Sequence, residues 1–390
     1  MSLNESRSNN TDEETADVEG WTLGRADSEP TSEAIRPQNI PRPDLIGGSQ
    51  VVLYPTIAYR HPKRDEVRVL VQGRVFHASP LPLAKRLLLR GLQRTLKLPP
   101  GAVHSPIFKE RTDGFLVSPE SGLRPLLEVG GHTLRLRRKS KGGSGLFFAK
   151  ADLPAAVCQQ LDCHPSTAQD QRIQISCSFL EGAVTGGGDV YFSSEQGVSI
   201  ISDIDDTIKH TSVTSRRHML ERTFLLPFES IDGMAEVYQN WAAQGASFHY
   251  ASSSPWQLYQ PLRSFLDAGG FPSGSVHLRW FRIRDEMFKR WRLLRKKSSK
   301  IGVINGIIKR LPKRRFVLVG DSGERDPEIY AKLARKYPNR VHSILIRNLS
   351  ERPVDPERQQ RLDARRGDVP LILFHDASDL AAIELPALTR

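Results

Sequence analysis

The sequence predicts an α/β fold in which a doubly wound parallel sheet is preceded by a smaller β-rich domain of the sandwich type. Three observations carry this. Short apolar runs at 198–205, 246–252, 276–283, 315–321 and 341–347 alternate with helical stretches of about ten residues or more, the pattern of a parallel sheet with crossover helices. Ahead of them lie six runs of strand character, several with period-two alternation. Acidic or hydroxyl clusters close three of the later runs, at the carboxyl edge where open α/β sheets hold ligands.

In chain order, residues 1–42 are rich in Ser, Asn, Glu, Thr and Pro, without apolar periodicity, and predict a disordered tail. Residues 43–196 form the β-rich domain: VVLYPTIAY (51–59), VRVLVQGRVF (67–76), HTLRLRR (132–138), GLFFAKADL (145–153), RIQISCSFL (172–180) and GDVYFSS (188–194). Glycine turns at 141–143 and 186–188 separate some of them. LPLAKRLLLRGLQRTLKL (81–98) is a basic helical insertion with leucines at 83, 87, 88, 92 and 96. Residues 197–390 form the parallel-sheet domain. Its helices fall near 231–243, 255–268, 298–310 and 327–336, with one more strand at 371–376.

Bulk composition excludes several classes. With 390 residues, two domains and a tail fit the length. No apolar run of 18 residues exists, and the polar, acidic first thirty residues hold no secretory signal. Three cysteines, Cys158, Cys163 and Cys177, are too few for a disulfide framework. With His164 they still fall short of a four-ligand site, so they read as free thiols and the address as cytoplasmic. The net charge of +12 leaves nucleic acid, anionic lipid and phosphorylated substrates open as partners.

The chemistry concentrates after the strands. Asp203, Asp205 and Asp206 put three carboxylates into four residues, which repel unless a cation joins them. In an extended segment Asp203 and Asp205 face the same edge, and their hard oxygens suit Mg²⁺. Taken alone, the cluster equally describes a solvated turn with Asp206 capping a helix. RFVLVGDSGERD (315–326) repeats the design, with Gly320 for a tight turn, then Asp321 and Asp326. A third strand ends in Ser252-Ser253-Ser254, one of which fits the cap of the helix opening at Pro255. Lys300 lies in the helix ahead of the Asp321 strand.

These four positions, in this order, resemble the motifs of the haloacid dehalogenase (HAD) superfamily, of Rossmannoid architecture. VSIISDIDDTIKHTSV, FHYASSSPWQLY and FVLVGDSGERDPEIY further resemble the App1-type phosphatidate phosphatase catalytic domain, over about 197–347. The resemblance implies a Mg²⁺-dependent phosphatase with Asp203 as nucleophile and Asp205 as general acid and base. Thr207 completes the DxDxT form. Ser252, or Ser253 if the register slips by one, would hydrogen-bond the phosphoryl group. Lys300 would offset its charge, with Lys297 as competitor. Asp203, Asp321 and the backbone carbonyl of Asp205 would hold the metal, and Asp326 would orient it or its waters. Lys209 and His210 fit recognition of a substrate headgroup.

The family implies phosphatidic acid as substrate, hydrolysed to diacylglycerol and phosphate. A soluble phosphomonoester or phosphoprotein is the alternative, and a non-enzymatic membrane or nucleic-acid adaptor a third reading. The segment 282–300 carries nine Lys or Arg against two acids, interleaved with Met287, Phe288 and Trp291. It fits core packing, peripheral contact with an anionic phospholipid surface, or a nucleic acid, as does 81–98.

Overall fold

The structure, a computed structural model, describes residues 49–386 except 62–63, 65, 81–89, 92–100, 137–139, 141–144, 154, 162, 164–169, 180–181, 280–298 and 382. Several expectations therefore lie outside the described residues: the tail at 1–42, His164, Lys297, the turn at 141–143 and the basic segment up to 298. Of the leucine-rich stretch at 81–98, Arg90 and Gly91 are described, and both are helical.

Strands β1 (Ser49–Tyr54), β2 (Thr56–Arg60), β3 (Val67–Pro80), β4 (Val117–Pro119), β5 (Pro125–Val129), β6 (His132–Arg135), β7 (Leu146–Leu153), β8 (Gln171–Phe179) and β9 (Gly182–Phe192) form one nine-stranded sheet. All neighbours in it are antiparallel except β2 and β9. The run 51–59 splits at Pro55, which has no N–H to give a ladder. Burial alternates along β5 and β8, so one face of each is buried. β4 and β5, too short to show a period, were not foreseen, nor were the helices α1 (Pro106–Asp113) and α2 (Ala155–Gln160).

The second sheet has six strands: β10 (Gly197–Ser202), β11 (Ser247–Pro255), β12 (Gly274–Arg279), β13 (Arg314–Asp321), β14 (Val341–Arg347) and β15 (Leu371–Phe374). Their order is β12-β11-β10-β13-β14-β15, and every pair is parallel. Among the described residues, six helices accompany them: α3 (Arg216–Phe224), α4 (Met234–Ala243), α5 (Tyr259–Ala268), α6 (Ser299–Arg310), α7 (Asp326–Lys336) and α8 (Pro356–Arg366). Apolar side chains cover both faces. Ile200 packs with Tyr238, Trp241, Phe248 and Phe265, while Ile201 packs with Ile304, Ile308, Leu318 and Tyr330. Fully buried strands read as unbroken apolar runs, which made them visible in the sequence. α3 and α8 bury only two side chains each and left no apolar stripe to read. Among the described residues no helix is long and apolar enough to cross a membrane.

The chain leaves β10 toward β11 and β12, then returns to β13 on the other side. That reversal makes the carboxyl ends of β10 and β13 the switch point at which open α/β sheets hold ligands. The two sheets are tied together at several points. Tyr54 stacks on Trp256 at 4.0 Å, and the Val276 amide donates to the Pro55 carbonyl at 3.0 Å. Arg314, fully buried at the start of β13, donates to the Ser194 and Gln196 carbonyls, each at 3.0 Å, and to the Ser199 hydroxyl at 2.8 Å. It also donates to the Val198 carbonyl at 2.6 Å and to the Ser247 hydroxyl.

Gly320 was expected in a tight turn, and its role is different. A Cβ there would lie 2.8 Å from both Asp326 Cβ and Tyr330 Cε2, so the missing side chain lets α7 approach the end of β13. Gly320→Ala should cost about 1–3 kcal/mol by overpacking and push Asp326 from its place, read as a fall in denaturation midpoint. Arg314→Met should cost about 3–5 kcal/mol, since several buried acceptors lose their donor at once. An unchanged midpoint in either variant contradicts the corresponding contact.

Candidate active site

β10 and β13 set the site by register. Ser202 pairs with Val319, and the Asp203 amide donates to the Val319 carbonyl at 2.9 Å, so Asp203 leaves β10 beside the end of β13. Asp321 is the last residue of β13 and Asp326 the first of α7. Each of these three aspartates offers a carboxylate oxygen within 4.8 Å of the others, and all three are buried. Lys300 comes in from α6. Its Nζ lies 2.7 Å from Asp203 Oδ1 and 2.6 Å from Asp326 Oδ1, and donates to Asp326 Oδ2 at 2.8 Å. Glu324, which the sequence reading did not single out, adds a further carboxylate to this field.

The charges do not balance. Burial pushes the Asp203 carboxyl well above its ordinary range; Lys300 opposes that, while Asp326, Asp321 and Glu324 push it further up. Asp321 is raised in the same direction, by burial first and then by Asp326 and Glu324. Burial alone would strip Lys300 of its proton, yet Asp203 and Asp326 outweigh it and keep the ammonium charged. Asp321 Oδ1 accepts from the Gly323 and Glu324 amides at 2.6 and 3.0 Å, whereas its buried Oδ2 has no partner. A cluster of hard oxygens, short of positive charge and with one orphaned oxygen, fits a divalent cation.

The Asp205 carboxylate is not part of this group. Lys209 Nζ lies 2.9 Å from its Oδ1, which also accepts from the Thr211 hydroxyl at 2.9 Å. Its Oδ2 accepts from Ser252 at 2.9 Å and Ser254 at 2.7 Å. Burial alone would raise Asp205, but the Lys209 charge and the bonds from Ser254, Lys209 and Ser252 bring it down to about 2. Lys209 therefore does not face solvent as headgroup recognition would require. It is buried, bonded to Thr211, with its ammonium 4.6 Å above the Phe228 ring. His210 stands partly exposed beside it, its backbone amide tied to the Glu229 carbonyl at 2.9 Å.

Other expectations are corrected too. Asp206 caps no helix. It takes a positive φ of 54° and accepts from the amides of Thr211, Ser212 and Val213 at 2.6–2.8 Å, which folds the turn that aims Lys209 inward. None of the three serines caps the following helix, which begins as a 3₁₀ turn over Trp256–Leu258 behind Pro255. Ser252 and Ser254 are spent on Asp205, and Ser253 donates to Glu324 Oε2 at 2.9 Å. Thr207 is buried and reaches Asp203 Oδ2 at 3.4 Å. The three cysteines are free and buried.

Comparison with known proteins agrees with the motifs. The family described as "Phosphatidate phosphatase APP1, catalytic domain" matches residues 198–348. The chain is similar to the phosphatidate phosphatase APP1 of Saccharomyces cerevisiae, 31% identical over 63% of this chain and 41% of that one. An uncharacterized protein of Schizosaccharomyces pombe is 37% identical over 39% of this chain and 25% of its own. The chain thus spans less than half the length of both relatives. A crystal structure of an uncharacterized Listeria monocytogenes protein overlaps at a TM-score of 0.27 and 10% identity, covering 47% of this chain and 94% of that one, too low to carry an argument. Residues 198–348, which hold Asp203, Asp205, Lys300, Asp321 and Asp326, thus match the model of the App1 phosphatidate phosphatase catalytic domain family.

Proposed function

We propose that the chain is a magnesium-dependent phosphatase that hydrolyses phosphatidic acid to diacylglycerol and phosphate through an aspartyl-phosphate on Asp203. The observation that carries this is the convergence of Asp203, Asp321 and Asp326 on one buried point with Lys300 beside them. The HAD-like architecture of 197–390, the sandwich character of 43–196 and a cytoplasmic, membrane-peripheral address belong to the same reading. The net charge of +12 supports contact with an anionic lipid surface.

Asp203, Asp321 and Asp326 would hold magnesium, with the Asp205 backbone carbonyl as a further oxygen. When bound, magnesium neutralises the crowded carboxylates and draws charge from the phosphoryl oxygens. Asp203, fixed by Lys300, attacks phosphorus as the bond to the leaving alkoxide breaks. Asp205 delivers a proton to that oxygen, then takes one from the water that attacks the aspartyl-phosphate, releasing phosphate and restoring Asp203. As it stands Asp205 is held as a carboxylate, suited to the second step. Its acid role follows when a bound phosphoryl group takes over the Ser252 and Ser254 hydroxyls, since losing those bonds raises its affinity for a proton.

The test is phosphate release with and without Mg²⁺, from mixed micelles of phosphatidic acid and from soluble phosphomonoesters in parallel. Asp203→Asn should reduce turnover on the order of 10³-fold or more. Equal activity in Asp203→Asn, or in EDTA, contradicts the mechanism. Release confined to soluble esters keeps the chemistry and overturns the lipid.

A further inference from the structure

Resting on the metal reading above, we infer that Arg352 and Arg358 are positioning residues, polarising two peptide groups that aim the Asp321 carboxylate at the cation. Both lie beyond the matched segment 198–348. The loop from Ser322 to Arg325 must gather Asp321, Glu324 and Asp326 close together against their mutual repulsion. Its backbone carbonyls point outward to two guanidinium groups. Arg358 Nη1 donates to the Ser322 carbonyl at 2.8 Å, and Arg352 Nη1 to the Gly323 carbonyl at 2.8 Å.

In a trans peptide the C=O and the N–H of one unit point in opposite directions. The unit whose carbonyl meets Arg358 carries the Gly323 N–H, and the unit whose carbonyl meets Arg352 carries the Glu324 N–H. Those are the two amides that donate to Asp321 Oδ1, at 2.6 and 3.0 Å. Each arginine therefore strengthens, through one peptide, a donor to the same oxygen. With Oδ1 so engaged, the buried, partnerless Oδ2 is the oxygen left for a cation. Orientation of a ligand through its other atom is how outer groups tune metal sites, with typical losses of about 10–100-fold in affinity on their removal.

Arg358 is itself locked. It is buried, its Nη2 also donates to the Glu324 carbonyl at 3.2 Å, and Glu328 accepts from Nε at 2.8 Å and from Nη2 at 3.2 Å. The planar fork meets two carbonyls and a carboxylate together, which a lysine cannot do. α8 anchors it by the Asp355 cap, whose carboxylate accepts from the Arg358 amide at 2.7 Å. Its polar surface hides that role in the sequence.

The experiment uses the full chain with MgCl₂ alone and two readouts. The first is the Mg²⁺ concentration that produces half of the thermal stabilisation. Arg352→Met and Arg358→Lys should raise it about tenfold or more, while Arg352→Lys, which keeps a charged donor, should restore most of it. The second is the amide proton shift of Gly323 and Glu324 without metal, which should move upfield in Arg352→Met at Glu324 and in Arg358→Lys at Gly323. Should Arg358→Lys fail to fold, the half-buried Arg352 pair carries the test. Unchanged Mg²⁺ response together with unmoved amide shifts overturns the relay. A wild-type chain with no Mg²⁺ response overturns the metal reading and the aim assigned to Asp321, and the amide shifts still decide whether the arginines act through those peptides.

Discussion

The interaction on which the structure depends is the repulsion among carboxylates gathered at the ends of β10 and β13. Asp203, Asp321, Asp326 and Glu324 share one buried field, and Lys300 is the cation that bonds two of them. Burial raises the affinity of each carboxyl for a proton, and for Asp203, Asp321 and Glu324 the neighbouring acids raise it again. Such an arrangement survives because the rest of the fold over-determines it. Strand register places Asp203, a missing Cβ at Gly320 admits Asp326, and peptide donors hold Asp321.

Asp205 shows the opposite solution two residues away. It is buried too, but its partners are all donors: Lys209, Thr211, Ser252 and Ser254. Two aspartates on one short segment are thereby driven in opposite directions, one toward holding a proton and the other toward losing it. A cation bound among Asp203, Asp321 and Asp326 would reverse that direction for Asp203 and leave it the carboxylate that attack on phosphorus needs. The turn built on Asp206 produces the difference, because it directs Lys209 under Asp205 rather than toward solvent.

The parallel strands were legible because burial on both faces leaves unbroken apolar runs, and the positions of Asp203 and Asp321 followed from where those runs end, while Lys300, on a helix, was reached through the family resemblance. What the sequence concealed depends on side-chain direction and on distant partners. Nothing in IDDTIKHT announces that Asp206 has a positive φ, so the inward path of Lys209 could not be read. Glu324 was visible as a third acid in GDSGERD, yet its approach to Ser253 needs the loop geometry. The serines look like helix caps because caps are a local device, yet Ser252 reaches Asp205, 47 residues away, and Ser253 reaches Glu324, 71 residues away. Arg358 sits in a helix that buries almost nothing apolar, so periodicity gave no reason to look there.

The central claim is that these carboxylates exist to hold a divalent ion. Anomalous diffraction from crystals soaked in Mn²⁺, a stand-in with similar oxygen preference, tests it most directly. A single peak within coordination distance of Asp203, Asp321 and Asp326 is the expected result. A peak elsewhere, or none while Lys300 keeps its present contacts with Asp203 and Asp326, contradicts the account.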